Sequence, residues 1–124
     1  MSSALPHADE FDLPAVNRAA LLLTPTQAYA DWANTCGEGP QFILSEMADD
    51  ATTVYLISEV DYRPDAWVRK HYRRLFEHEL WSWCTDPSSW PKDRSFRAFQ
   101  QFFQVNFHSM VMDLGREPIF SSLY

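Results

Sequence analysis

Between Pro64 and Cys84 the chain carries its longest regular pattern, and that pattern is helical. Val68, Tyr72, Leu75, Phe76, Leu80 and Trp83 recur on one side, while Lys70, Arg73, Arg74 and Glu77 fall on the other. Pro64 and Asp65 suit a first turn, where a missing N–H costs nothing and an acidic group complements the helix dipole. Thr85-Asp86-Pro87 ends the helix, because the residue before a proline avoids helical geometry. A helix with one apolar side must lay that side on another element.

A small sheet supplies the covering surface. Ala15 to Leu23 becomes almost continuously apolar toward its end, as in a strand at a central position. Thr53 to Val60 is rich in β-branched and aromatic residues and reads as a second strand. Val105 to Leu114 reads as a third, stopped by Gly115. Thr24-Pro25-Thr26-Gln27 has the form of a helix start: Thr24 caps, Pro25 takes the first helical position and Gln27 completes a capping box. Ala28, Tyr29, Trp32, Ala33 and Cys36 follow at helical spacing, with Gly37 just past the end. Phe42 to Met47, inside the connection 37–52, forms a short helix or docks on the core. Asp93 or Ser95 caps a shorter helix, Arg94 to Phe103. The order β-α-β-α-α-β holds too few strands for a doubly wound sheet. The expected class is α+β: a two-layer α/β sandwich whose small three-stranded sheet has its helices packed on one face and its first strand central. The helix between the first two strands favours a parallel pair joined by a right-handed crossover.

At 124 residues and 46% hydrophobic, the chain matches one globular domain. Residues 1–14 form a polar, acidic lead-in, and 15–124 the domain. A formal charge of −7 argues against nucleic acid and anionic membranes as partners. Three glycines, Gly37, Gly39 and Gly115, cannot write a phosphate-cradling loop or a dinucleotide fingerprint, so no cofactor is expected. The longest apolar run, Ala19 to Leu23, is far short of the roughly 20 residues of a membrane span, and Met1 to Pro14 lacks the parts of a signal peptide. Cys36 and Cys84 read as reduced thiols of a cytoplasmic protein, although spacing alone leaves a bridge between them open.

Several segments carry a resemblance. Asp31-Trp32, Thr53-Val54-Tyr55-Leu56-Ile57, Glu79-Leu80-Trp81-Ser82-Trp83-Cys84, Trp90-Pro91-Lys92-Asp93-Arg94 and Phe107-His108-Ser109-Met110-Val111-Met112-Asp113-Leu114 resemble a family of small bacterial proteins built on a domain of unknown function. The likeness spans about residues 15–114. It implies a stand-alone bacterial cytosolic domain and assigns no activity. Ile57-Ser58-Glu59 departs from the Ile-Pro-Glu of that pattern.

Two residues break the pattern of the long helix. Glu79 lands inside the apolar stripe, flanked by Leu75, Phe76 and Trp83. A buried carboxylate needs a cation, hydrogen bonds or a raised pKa. Arg18, or the Tyr72 or Tyr55 hydroxyl, would satisfy it structurally. In a catalytic alternative, Glu79, Arg18 and His108, with Tyr55, would line a site between sheet and helix. Trp81 is the second exception, lying on the charged face with Arg74 and His78. With Trp67 these residues form a candidate partner-binding surface, unless the Ser88–Trp90 loop folds back over Trp81. Arg69, Lys70, Arg73 and Arg74 form a basic cluster that either receives an acidic or phosphorylated segment or is a solvated helix face.

The remaining candidates are weak. There is no HExxH or CxxC, and His71 and His78, seven residues apart on one helix, are separated by a rise of about 10.5 Å at about 1.5 Å per residue, too far to share a zinc ion. Glu59, Asp61 and Asp113 could hold Mg²⁺ or Ca²⁺ only if their strand ends met. His108 and Ser109 point to opposite faces of a strand, so they cannot pair as base and nucleophile; His108 instead shares a face with Met110 and Met112, as a half-buried histidine. Cys84, at a helix C-terminus, is poorly placed as a nucleophile. The sequence fits best a non-enzymatic protein-interaction or regulatory module of the bacterial cytosol. The alternative is a small hydrolase or small-ligand-binding domain centred on Glu79. Self-association through the Trp81 face or the apolar tail Ile119–Tyr124 is a third possibility.

Overall fold

The apolar run at Leu21–Leu23 becomes the middle of the sheet. In the computed structural model, which describes residues 14–37, 39–59 and 63–122, the elements are β1 (Arg18–Pro25), α1 (Gln27–Ala33), α2 (Leu44–Met47), β2 (Thr53–Ser58), α3 (Pro64–Trp83), α4 (Phe96–Phe102) and β3 (Phe103–His108). A 3₁₀ turn, Pro87–Ser89, lies between α3 and α4. The strand order is β2-β1-β3, so the most apolar strand is central. The fold is mixed α+β, with the helices packed on the sheet. Residues 1–13, nearly all of the expected lead-in, lie outside the described residues.

Both strand pairs are antiparallel, which corrects the expected parallel crossover. The cause is the size of α1. Its seven residues rise about 10 Å, while the eight of β1 span about 26 Å, so α1 cannot carry the chain back along the strand. The chain re-enters the sheet at the end it left, with Thr53 opposite Leu23 and the Thr24 and Thr52 hydroxyls hydrogen-bonded at 3.1 Å.

Register sorts the side chains into two faces. Ala19, Leu21 and Leu23 of β1 share the inner face with Tyr55 and Ile57 of β2 and with Phe103, Val105 and Phe107 of β3. Against them pack Val68, Leu75, Phe76 and Leu80 of α3, Ala98 and Phe99 of α4, and Tyr29, Ala30 and Ala33 of α1. The core is strongly aromatic. Phe76 stands 5.5–5.9 Å from Phe99, Phe102 and Phe103, in the edge-to-face geometry that ring quadrupoles favour. Three indole N–H groups find main-chain carbonyls: Trp32 donates to Ser89, Trp83 to Ala33 and Trp90 to Cys84, each at 2.9 Å. The Ala33 and Cys84 carbonyls lie at helix C-termini; the former also accepts from the Cys36 amide at 3.2 Å.

Several boundaries shift. Pro25 is the last residue of β1 and not the first of a helix; Thr26 takes the N-cap position, and its hydroxyl donates to the Gln101 carbonyl at 2.5 Å. β3 begins directly after α4 and stops at His108. Beyond it, Met112 makes an isolated bridge with Ala15. Of the two expected caps of α4, Ser95 takes the N-cap position, its Oγ accepting from the Ala98 amide, while Asp93 Oδ1 accepts from the Ser95 amide in the turn ahead of the helix.

Candidate functional site

The spacing of Trp67, His71, Arg74, His78 and Trp81 alternates four and three residues, which places all five on one stripe of α3. The stripe lies beside the core-facing side and looks toward β2. Between them is a cleft of about 650 Å³, with Trp67, His71, Arg74 and His78 on the helix wall, Tyr55 to Ser58 on the strand wall and Leu75 between. The His71 ring leans on Trp67, with centroids 4.2 Å apart and planes tilted by 31°. Trp81 continues the stripe one turn beyond His78 and is 52% exposed.

The Ser88–Trp90 loop therefore does not cover Trp81. Its Ser89 carbonyl is taken by Trp32, and the Trp90 indole N–H is given to Cys84. Three of the four expected partner-binding residues, Trp67, Arg74 and His78, line the cleft, and Trp81 does not. The basic cluster divides. The Arg69 guanidinium lies over the Phe96 ring at 4.9 Å, Arg73 Nε donates to the Tyr72 hydroxyl at 3.4 Å, and Arg74 alone of the four lines the cleft.

Glu79 is buried, as its place in the stripe predicts, with 6% of its surface exposed. Its partner is Tyr55, whose hydroxyl donates to Oε1 at 3.1 Å. The same hydroxyl lies 2.7 Å from His78 Nδ1. A phenol has one proton, so while Tyr55 gives it to Glu79 the hydrogen of the second bond comes from His78 Nδ1. The result is a directed chain, His78 to Tyr55 to Glu79, leading from the cleft wall to a carboxylate that does not itself line the cleft. Burial pushes the Glu79 carboxyl above the ordinary carboxylate range, opposed by hydrogen bonds from the Thr53 and Tyr55 side chains. Burial, and then the charge of Glu79, push the Tyr55 and Tyr29 phenols well above their usual value.

The other catalytic candidates are not brought to Glu79. Arg18 and His108 alternate with Ala19 and Phe107, so both belong to the outer face of the sheet, away from the helices. The Arg18 guanidinium donates to the Asn17 carbonyl, and His108 is exposed rather than half-buried. Of the cation candidates, Asp61 lies outside the described residues. Glu59 follows β2 and Asp113 lies beyond β3, on opposite sides of β1, so two strand spacings, about 9.5 Å, part them. Among the described residues no three metal-ligating side chains come together. Cys36 and Cys84 are free thiols. Burial and the neighbouring Cys84 thiol push Cys36 up.

Sequence reasoning missed His71 and the strand wall beyond Tyr55. The four-three spacing of aromatic and basic residues along α3 carried the signal for His71; Tyr55 is the residue of the strand wall that the sequence offers as a partner of Glu79, while nothing local could announce Leu56–Ser58, which the folded sheet brings alongside. No family model, curated protein or solved structure matches the chain. No helix among the described residues is long and apolar enough to cross a membrane.

Proposed function

We propose that the protein is a non-enzymatic interaction module that receives an acidic segment of a partner protein in the cleft between β2 and α3. The observation that carries this reading is the stripe Trp67-His71-Arg74-His78-Trp81, four members of which wall a cleft. Arg74 is a fixed cation flanked by two imidazoles in a chain of net charge −7, so the stripe is a local exception to the overall field. Trp67 and Trp81 bracket it with the side chain most enriched at interface hot spots. A binding role is favoured over a catalytic one because Glu79 does not line the cleft and because Arg18 and His108 stand on the far face of the sheet. The resemblance to small bacterial cytosolic domains would place such a module in the bacterial cytosol.

The reading is tested by panning a random decapeptide display library on the full chain. Peptides rich in Asp and Glu should be enriched, and an Arg74→Glu, Trp81→Ala double variant should lose them. Failure to enrich any peptide, or equal binding by the folded double variant, defeats the proposal. One observation favours a second reading, a small hydrolase or ligand-binding domain: the His78–Tyr55–Glu79 chain could carry a proton to or from a molecule in the cleft. Turnover of a soluble ester or amide panel that Tyr55→Phe abolishes without unfolding would select it.

A further inference from the structure

We infer that the partner segment enters the cleft as an extra strand on the free edge of β2, an inference that rests on the interaction reading above and specifies its geometry. β2 is an outer strand of the sheet. Its side chains at successive positions point to opposite faces. A cleft lying over one face would meet alternate residues, but this one meets Tyr55, Leu56, Ile57 and Ser58 in succession. Tyr55 and Ile57 belong to the helix side, Leu56 and Ser58 to the outer side. A cleft that touches both sets runs along the edge itself, where alternate residues of an antiparallel strand turn N–H and C=O outward. Among the described residues no main-chain hydrogen bond outside the β1 ladder reaches β2.

The edge is also bare of the devices that normally prevent strand addition. Thr53–Ser58 contains no proline and no charge, and Val54 and Leu56 are 58% and 48% exposed. Edges are usually blunted by a lysine, a proline or a bulge; one left open beside a built wall fits a strand that is added on purpose. The dimensions agree. Trp67 to His78 spans about 16 Å of helix, the length of about five extended residues.

This geometry dictates the chemistry of the occupant. Alternate side chains of the added strand turn toward α3, where Arg74 and the His71 imidazole N–H take carboxylates and the Trp67 ring takes a flat or apolar group. The intervening side chains lie beside Leu56 on the outer face and are apolar. The segment recognised is therefore an extended one of about five residues that alternates acidic and apolar side chains. A second copy of this chain fits less well, because pairing β2 with β2 would bring two clefts, each with its Arg74, against one another.

The test uses peptides enriched from the decapeptide library, bound to the full chain. Two series are made, N-methylated at odd or at even positions. Strand addition predicts that one series loses about tenfold or more in affinity and the other binds nearly as before, since only alternate amides face β2. Amide exchange of the residues in Tyr55–Ser58 that face the cleft should slow on binding. If both series bind alike while Arg74→Glu still abolishes binding, strand addition is wrong and the interaction reading survives. If no peptide binds, both fall. If light scattering shows a dimer that Leu56→Lys dissolves, the occupant is a second copy and the acidic-segment inference is overturned.

Discussion

Tyr55→Phe deletes one oxygen, and the structure sets what that should cost. The hydroxyl makes two hydrogen bonds of unequal worth. The bond with His78 is at an exposed ring, where water replaces it at little cost. The bond to Glu79 serves a carboxylate with 6% of its surface exposed. A hydrogen bond to a charged group contributes about 1.5–3 kcal/mol, and a buried acceptor left unpaired costs a similar amount. Thr53 stays beside the carboxylate and limits the loss, so about 2 kcal/mol is expected near pH 7. In a domain of this size that lowers Tm by roughly 8 °C, at about 4 °C per kcal/mol. The loss should shrink toward pH 4, because a protonated Glu79 makes only a neutral bond. It should also shrink by about 1 kcal/mol when measured on a Glu79→Gln background, where the acceptor is an amide oxygen. Urea unfolding followed by circular dichroism, for the four proteins of the cycle at pH 4 and pH 7, supplies all the numbers. A Tyr55→Phe loss that is the same at both pH values and on both backgrounds would refute the claim that Tyr55 supports a buried charge.

Three further outcomes follow from the same structure. Glu79 holds its proton more tightly folded than unfolded, so its contribution to stability is fully present below the unfolded pKa of about 4 and is lost as pH rises through the folded value; Glu79→Gln, which keeps an acceptor for Tyr55, should therefore gain on the wild type between pH 4 and pH 8, and a pH-independent difference in urea midpoint would contradict this. Tyr29 and Tyr55 are likewise raised, so their stabilisation persists below about pH 10 and fails above it; absorbance at about 295 nm should show two of the five tyrosines ionising only as the chain unfolds. Adjacent residues on α3 should behave oppositely in thermal melts: Leu80→Ala, at 0% exposure, should cost about 3–4 kcal/mol, whereas Trp81→Ala, at 52% exposure, should cost less than about 0.5 kcal/mol.

The parts of the fold legible in the sequence are those written in periodicity. α3 was visible from end to end because its apolar residues keep helical spacing over twenty positions, and Glu79 was visible as the one charge within that stripe. The central place of β1 follows from its unbroken apolar run, Ala19 to Leu23. What was not legible depends on parity and on distance. Its charge makes Arg18 the natural partner for Glu79, yet it sits one residue from inward-facing Ala19, and a single step along a strand reverses a side chain's face. His108 failed for the same reason, one residue from inward-facing Phe107. The turn residues Thr24 and Pro25 carried a genuine helix-start signal, but pairing with Gln104 and Phe103 extends the strand through both. Antiparallel pairing turned on the length of α1, whose last expected turn is replaced by the bend leading to Gly37, held at a φ of 69°. Half of the cleft, the β2 edge, has no local signature, because it exists only where two separated segments lie side by side.

The three indoles anchored to main-chain carbonyls divide the five tryptophans into two optical populations. Trp32, Trp83 and Trp90 emit from within the packed body, so their fluorescence follows whether the helix ends and the 85–95 loop hold together. Trp67 and Trp81 lie on the cleft stripe, where an incoming segment would change their surroundings while the other three keep theirs. Single-tryptophan variants of this chain would therefore separate loss of structure from occupation of the cleft without any added dye.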